Sequence, residues 1–115
     1  MIIAVIGSRN FLNYELLESI LDSLPKASQF VSGGAKGADK LAELYAEKNQ
    51  IPVVIFKPDW QKYGKAAGVI RNREIIEAAE MLVAFWDGES KGTASSLAFA
   101  KKKGMPIHTV ISQIP

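Results

Sequence analysis

Ser32-Gly33-Gly34-Ala35-Lys36-Gly37-Ala38-Asp39 is the stretch that decides how this chain folds. The apolar Phe30-Val31 runs into it, and a helical pattern starting near Ala38 runs out of it. Gly33, Gly34 and Gly37 let the backbone turn sharply and admit a ligand to the amides with no Cβ in the way. The helix beyond aims its unpaired N–H groups, and the positive end of its dipole, back at the loop. Strand, glycine loop and helix in that order make a ready anion site, most often for phosphate. The loop lacks the dinucleotide spacing G-x-G-x-x-G, and no Gly-Lys-Ser/Thr follows as in a P-loop. An ordinary NAD enzyme and a Walker ATPase are therefore disfavoured.

The same alternation extends outward on both sides. Residues 2–6 are a short unbroken apolar run, as expected of a strand buried on both faces. Leu12, Leu16, Ile20 and Leu24 then recur at helical spacing, Leu17 and Leu21 widen the stripe, and Pro25 closes it. Residues 29–31 form the second strand. Ala38, Leu41, Ala42 and Tyr45 mark one face of the second helix, and residues 52–56 are the third strand. After a long connection over 57–65, a helix is expected over about 66–79 and a strand over 81–85. A last helix over about 93–103, ended by Gly104, leads to a strand over 106–111. Strict alternation of strands and helices implies right-handed crossovers. The fold class is α/β: a single Rossmann-like, doubly wound sheet of about five parallel strands flanked by about four helices, with residues 1–115 as one domain.

The 115-residue length fits one domain, and 48% hydrophobic with 23% charged residues is ordinary for a globular protein. A net charge of +2 is too small for a nucleic-acid polyelectrolyte binder, so nucleic acid is disfavoured as a partner. With no cysteine and His108 as the single histidine, neither a thiolate nucleophile nor a Cys- or His-rich metal site is possible. The apolar N-terminus is too short to span a membrane and lacks the basic start of a signal peptide, so no membrane association and a cytoplasmic location are expected.

In such a sheet, ligands bind beyond the carboxyl ends of the strands. The unusual residues fall there: Gly7-Ser8-Arg9 after the first strand, 32–39 after the second, Asp59-Trp60 after the third, and 87–93 after the fourth. The opposite edge carries plain turns. Lys91-Gly92-Thr93 opens the fourth helix and reads as a second phosphate-gripping terminus or as a cap by Ser90 or Thr93. Arg9 offers a fork suited to phosphate. Trp60 could stack on a base or plug the sheet edge. Asn72 sits where the helical stripe calls for an apolar residue, so it either pins a neighbouring loop or reads a ligand. The three lysines 101–103 suit a solvated helix C-terminus, and His108 a core or edge position.

The ordered set Gly7-Ser8-Arg9, 32–39, Asp59-Trp60, Tyr63-Gly64-Lys65, Ala67-Gly68, Arg71-Asn72 and Ser90-Lys91-Gly92-Thr93 resembles the SLOG superfamily, closest to its YspA/YpsA-related branch. The resemblance implies a Rossmann-like domain that binds a nucleotide or nucleotide-derived ligand, as sensor or carrier, and forms a homodimer. The ligand-binding set would be Gly7, Ser8, Arg9, Ser32, Gly33, Gly34, Lys36, Gly37, Asp39, Asp59, Trp60, Arg71, Asn72, Ser90, Lys91, Gly92 and Thr93. In the LOG phosphoribohydrolases a Pro-Gly-Gly-x-Gly-Thr-x-x-Glu motif supplies a catalytic glutamate. Here Gly92-Thr93 matches its Gly-Thr pair, but the glutamate position falls on Ser96, while Arg71 resembles the LOG arginine. A serine hydroxyl is no general base at neutral pH without an activating partner. If the domain is a nucleotide hydrolase at all, cleaving an N-glycosidic or phosphate bond, Asp39, Asp87 and Arg71 are the catalytic candidates. No dedicated metal site is expected, although Asp59, Asp87 and ligand phosphates could share Mg2+. Similarity to DprA, a larger SLOG protein, adds single-stranded nucleic-acid binding as a further alternative, against which the charge balance counts.

Overall fold

The computed structural model of the chain describes residues 1–111. Five strands, β1 (Ile2–Gly7), β2 (Gln29–Ser32), β3 (Val53–Ile55), β4 (Met81–Trp86) and β5 (Ile107–Ile111), pair in parallel in the order β3-β2-β1-β4-β5. Four long helices connect them: α1 (Tyr14–Asp22), α2 (Ala38–Lys48), α4 (Ala67–Ala78) and α5 (Lys91–Lys103). A one-turn helix, α3 (Trp60–Tyr63), precedes α4. The expected doubly wound parallel sheet is the fold.

Side-chain alternation along the central strands divides the core into two layers. Ile3 and Val5 of β1 pack with Val83 and Phe85 of β4 against Leu17 of α1 and Ala42 of α2. Ala4 and Ile6 face the other way, with Leu82 and Ala84, onto Ile75 and Ile76 of α4 and Leu97 and Ala100 of α5. The chain therefore leaves β1 toward one face and β4 toward the other. Because β1 and β4 are neighbours, their connections diverge and open a crevice at the carboxyl edge.

Two stretches differ most from the sequence expectation. α1 begins at Tyr14, where the Asn13 side chain accepts the Leu16 amide at 3.0 Å. A cap placed there leaves Leu12 outside the helix and 78% exposed, so it is not part of the apolar stripe. The long connection over 57–65 contains α3, started by the Asp59 carboxylate accepting the Lys62 amide at 3.1 Å and followed by a 3-10 turn over Gly64–Ala66. Four residues are too few for periodicity to reveal.

The lysines at the end of α5 are not equivalent. Lys103 Nζ donates to the main-chain oxygens of Ile76, Glu77 and Ala79 at 2.9–3.1 Å, which caps the last turn of α4. Hydrogen bonds from a charged donor contribute about 1.5–3 kcal/mol, less at an exposed position. Lys103→Met should therefore cost about 1–2 kcal/mol in urea unfolding, and Lys101→Met or Lys102→Met less than about 0.5 kcal/mol. Equal effects at all three positions would mean that the cap contributes nothing.

Candidate functional site

The carboxyl edge is assembled by backbone contacts that only glycine permits. A Cβ on Gly7 would meet the Phe85 carbonyl and the Ala38 side chain. A Cβ on Gly37, at φ +79°, would meet the carbonyls of Ser8 and Arg9. The buried Ser8 is the hub of these contacts. Its amide donates to Phe85 O at 2.9 Å, its carbonyl accepts the Ala38 amide at 3.3 Å, and its Oγ accepts the Asp87 amide at 3.0 Å. The ends of β1 and β4 and the start of α2 are thus held as one unit.

Over that unit, α4 sends Arg71 across the glycine loop. Arg71 Nη1 donates to Gly33 O at 3.1 Å, and at 3.5 Å to Phe56 O. A Cβ on Gly33 would lie 2.7 Å from that Nη1 and 3.2 Å from Asp39 Oδ2, so the bare Gly33 backbone leaves room for both side chains. Asp39 is 6% exposed, and its Oδ2 accepts the Ala35 amide at 3.0 Å. Among the described residues neither Asp39 nor Arg71 is in an ion pair within 4.0 Å. Burial pushes the Asp39 carboxyl up to about 6, against the opposing pull of the Ala35 amide and the Arg71 charge. Burial also lowers Arg71, with Asp39 opposing.

Asn72 makes pinning contacts and also lines the cavity. Its Oδ1 accepts Arg71 Nε at 3.0 Å, and its Nδ2 donates to Gly92 O at 3.3 Å. One amide therefore fixes the guanidinium against the first turn of α5. Ser96 Oγ donates to the same Gly92 carbonyl at 3.2 Å. Ser90 occupies the N-cap position of α5 but makes no capping side-chain hydrogen bond, and Thr93 Oγ1 turns to Ser90 Oγ at 3.4 Å. The first-turn amides of α5 are thus not occupied by a side chain, as a helix that grips an anion requires.

These groups surround a cavity of about 290 Å³. Of the residues expected in a site, it brings together Gly7, Arg9, Gly33, Asp39, Arg71, Asn72, Ser90, Gly92 and Thr93. Ser8, Ser32 and Gly37 are buried behind them. Gly34, Lys36 and Lys91 do not line the cavity, and neither do Asp59, Trp60 and Asp87. Trp60 is 60% exposed on α3. Asp87 Oδ1 accepts the amides of Glu89 and Ser90, both at 2.8 Å, and these bonds hold its carboxyl below the usual range. Both aspartates are thus committed to local turns. Among the described residues, no group of three His, Asp or Glu side chains could hold a metal ion. No helix there is long and apolar enough to cross a membrane.

Ile6, Ala35 and Ile75 also line the cavity and escaped the sequence reading, as did a lining role for Ser96. Ile75 lies four residues beyond Arg71 on the same helix face, so helical spacing could have found it. Nothing local marks Ile6.

Residues 1–63 match the family model described as YspA, cpYpsA-related SLOG family. The Gene 61 protein of Mycobacterium phage D29 is 35% identical over 100 residues, covering 82% of this chain and 80% of that protein. Among solved structures, DNA processing protein A (DprA) from Streptococcus pneumoniae superposes on 97% of this chain with a TM-score of 0.79, at 20% sequence identity. The chain spans half the length of that DprA chain, and the likeness is one of fold.

Proposed function

The chain belongs to the YspA, cpYpsA-related SLOG family, and from that starting point we propose that its cavity binds a nucleotide or nucleotide-derived ligand, as a sensor or carrier. Membership of this family suggests a nucleotide-related ligand. The observation that carries the proposal is the convergence of Arg71, which lacks a carboxylate partner within 4.0 Å among the described residues, with the open first turn of α5 on one cavity. Ligand phosphate would lie against Arg71 and the amides near Gly92, with Arg9 closing from the exposed side. Ile6 and Ile75 supply the apolar wall that a sugar or base needs. A cavity of about 290 Å³ suits one mononucleotide better than an extended dinucleotide.

The test is thermal unfolding against nucleoside monophosphates, ADP-ribose, NAD, cyclic nucleotides and short oligonucleotides, with and without magnesium. A ligand at ~100 times its dissociation constant adds about 2.7 kcal/mol, a rise on the order of 10 °C. For whichever small ligand shifts the midpoint, Arg71→Met should weaken binding about thirtyfold, since hydrogen bonds from a charged donor contribute about 1.5–3 kcal/mol. Arg71→Lys should not restore it, because an ammonium cannot reproduce the fork. No shift with any small ligand would overturn the proposal. A shift with oligonucleotides alone, steeply dependent on salt, would replace it with nucleic-acid binding.

One observation favours a hydrolytic reading of the same cavity: Asp39 is a buried carboxyl with its proton affinity raised to about 6, within the range useful to a general acid or base. Product formation from a bound nucleotide, abolished in Asp39→Asn with binding kept, would establish it.

A further inference from the structure

Asp39 is out of place in a cavity built for an anion. Every other polar element that converges there favours negative charge: the Arg71 guanidinium, Arg9 and the first turn of α5. An ionised carboxylate among them would repel the ligand that they attract. We propose that the cavity takes up its anion together with one proton, carried on the Asp39 carboxyl, so that Asp39 donates a hydrogen bond to the ligand instead of repelling it. The inference rests on the anion-binding reading of this cavity and says how that binding is regulated.

The geometry supports it on two counts. Asp39 lines the cavity yet is 6% exposed, so water does little to screen a negative charge there. One oxygen, Oδ2, is engaged by the Ala35 amide, which leaves the other to carry the proton toward the ligand. The buried Ser32 hydroxyl from β2 and the Gly33 amide also face this carboxyl and favour its ionised form, so burial holds the proton against them. The charged group facing Asp39 from α4 is Arg71, and Arg9 acts in turn on Arg71 from the loop after β1. On α2 itself, Lys40 is exposed and paired with Glu43 at 3.3 Å. A bound anion draws the Arg71 charge to itself and withdraws it from Asp39, which strengthens the hold of Asp39 on its proton. The proton comes from solvent, and no bond other than O–H is made. His108 lies on the edge strand β5 and does not line the cavity.

Sulfate is a suitable probe because its charge is constant across the neutral range, whereas phosphate itself titrates there. Chemical shifts of the Gly92 and Thr93 amides would be followed as sodium sulfate replaces chloride at constant ionic strength, between about pH 5 and about pH 7.5. The dissociation constant should rise at least tenfold over that interval, toward a limit of roughly thirtyfold set by one proton taken up on a carboxyl that titrates at about 6 in the free protein. In the unsubstituted protein, saturating sulfate should move the titration of the Asp39 side-chain carbon to higher pH. Asp39→Asn, whose amide donates at any pH, should bind sulfate at about pH 7.5 as tightly as the parent does at about pH 5, with no pH dependence. Sulfate shifts at Gly92 and Thr93 with one affinity at every pH, or an unmoved Asp39 titration, would overturn the inference and leave the anion site standing. No perturbation at Gly92 or Thr93 at any pH would overturn the anion site and the inference together.

Discussion

Gly37→Ala is expected to lower the free energy of unfolding by about 4 kcal/mol, as two separate costs fall on one residue. The first is backbone strain: Gly37 has φ 79° and ψ −127°, a region that a residue with a Cβ occupies at a cost of about 1–3 kcal/mol. The second is collision, since the new methyl group would meet the main-chain carbonyls of Ser8 and Arg9, which cannot swing aside as a side chain would. Forcing a methyl group into such packing adds about 1–3 kcal/mol. In a domain of this size the midpoint should fall by on the order of 15 °C. Gly64 supplies the control: its backbone is similar, with φ 56° and ψ −133°, but a Cβ there meets nothing within 4 Å. Gly64→Ala should therefore cost the strain alone, about 2 kcal/mol. If the two variants melt together, the close seat of α2 on the loop after β1 contributes no stability.

The two-layer fold was legible because its signals are local: apolar runs of strand length, stripes at helical spacing, and glycines where strands hand over to helices. The edge that holds the cavity was legible from the asymmetry between its glycine-bearing connections and the plain turns opposite. What stayed hidden depends on contacts between residues far apart in the chain. Arg71, Asn72 and Gly92 form a hydrogen-bonded chain from α4 to α5, and Arg71 reaches Gly33 across 38 positions. Residue types alone could not name the partners that Asn72 pins, because Arg71 and Gly92 meet it only in the folded chain. Asp87 is a different case. An aspartate followed by Gly88-Glu89-Ser90 suits a side chain that accepts the amides two and three residues on, and that local signal was readable. Lys103 shows the same limit from the other side, because a cap supplied by a neighbouring helix leaves no trace in its own stretch.

Asp39→Asn is expected to stabilise the domain at neutral pH. The folded-state value of about 6 lies above the ordinary 3.8, so between those two values the native state holds more protons than the unfolded chain. Stability from this group is then fully present below about 3.8 and is lost as the pH rises through about 6. The difference of about two units corresponds to about 3 kcal/mol of penalty once the buried carboxylate is ionised. Asparagine keeps an acceptor for the Ala35 amide and carries no charge to desolvate. In urea unfolding the variant should therefore exceed the parent by about 2–3 kcal/mol at about pH 7.5, and the two should agree within about 0.5 kcal/mol near pH 4. The other carboxylates titrate alike in both proteins and cancel in the difference. A variant less stable than the parent at neutral pH would mean that Arg71 and the Ala35 amide compensate the buried charge in full. In that case Asp39 would be held as a carboxylate, the cavity would offer a fixed negative charge beside Arg71, and a ligand with a hydroxyl or ammonium donor at that point would suit it better than a second anionic oxygen.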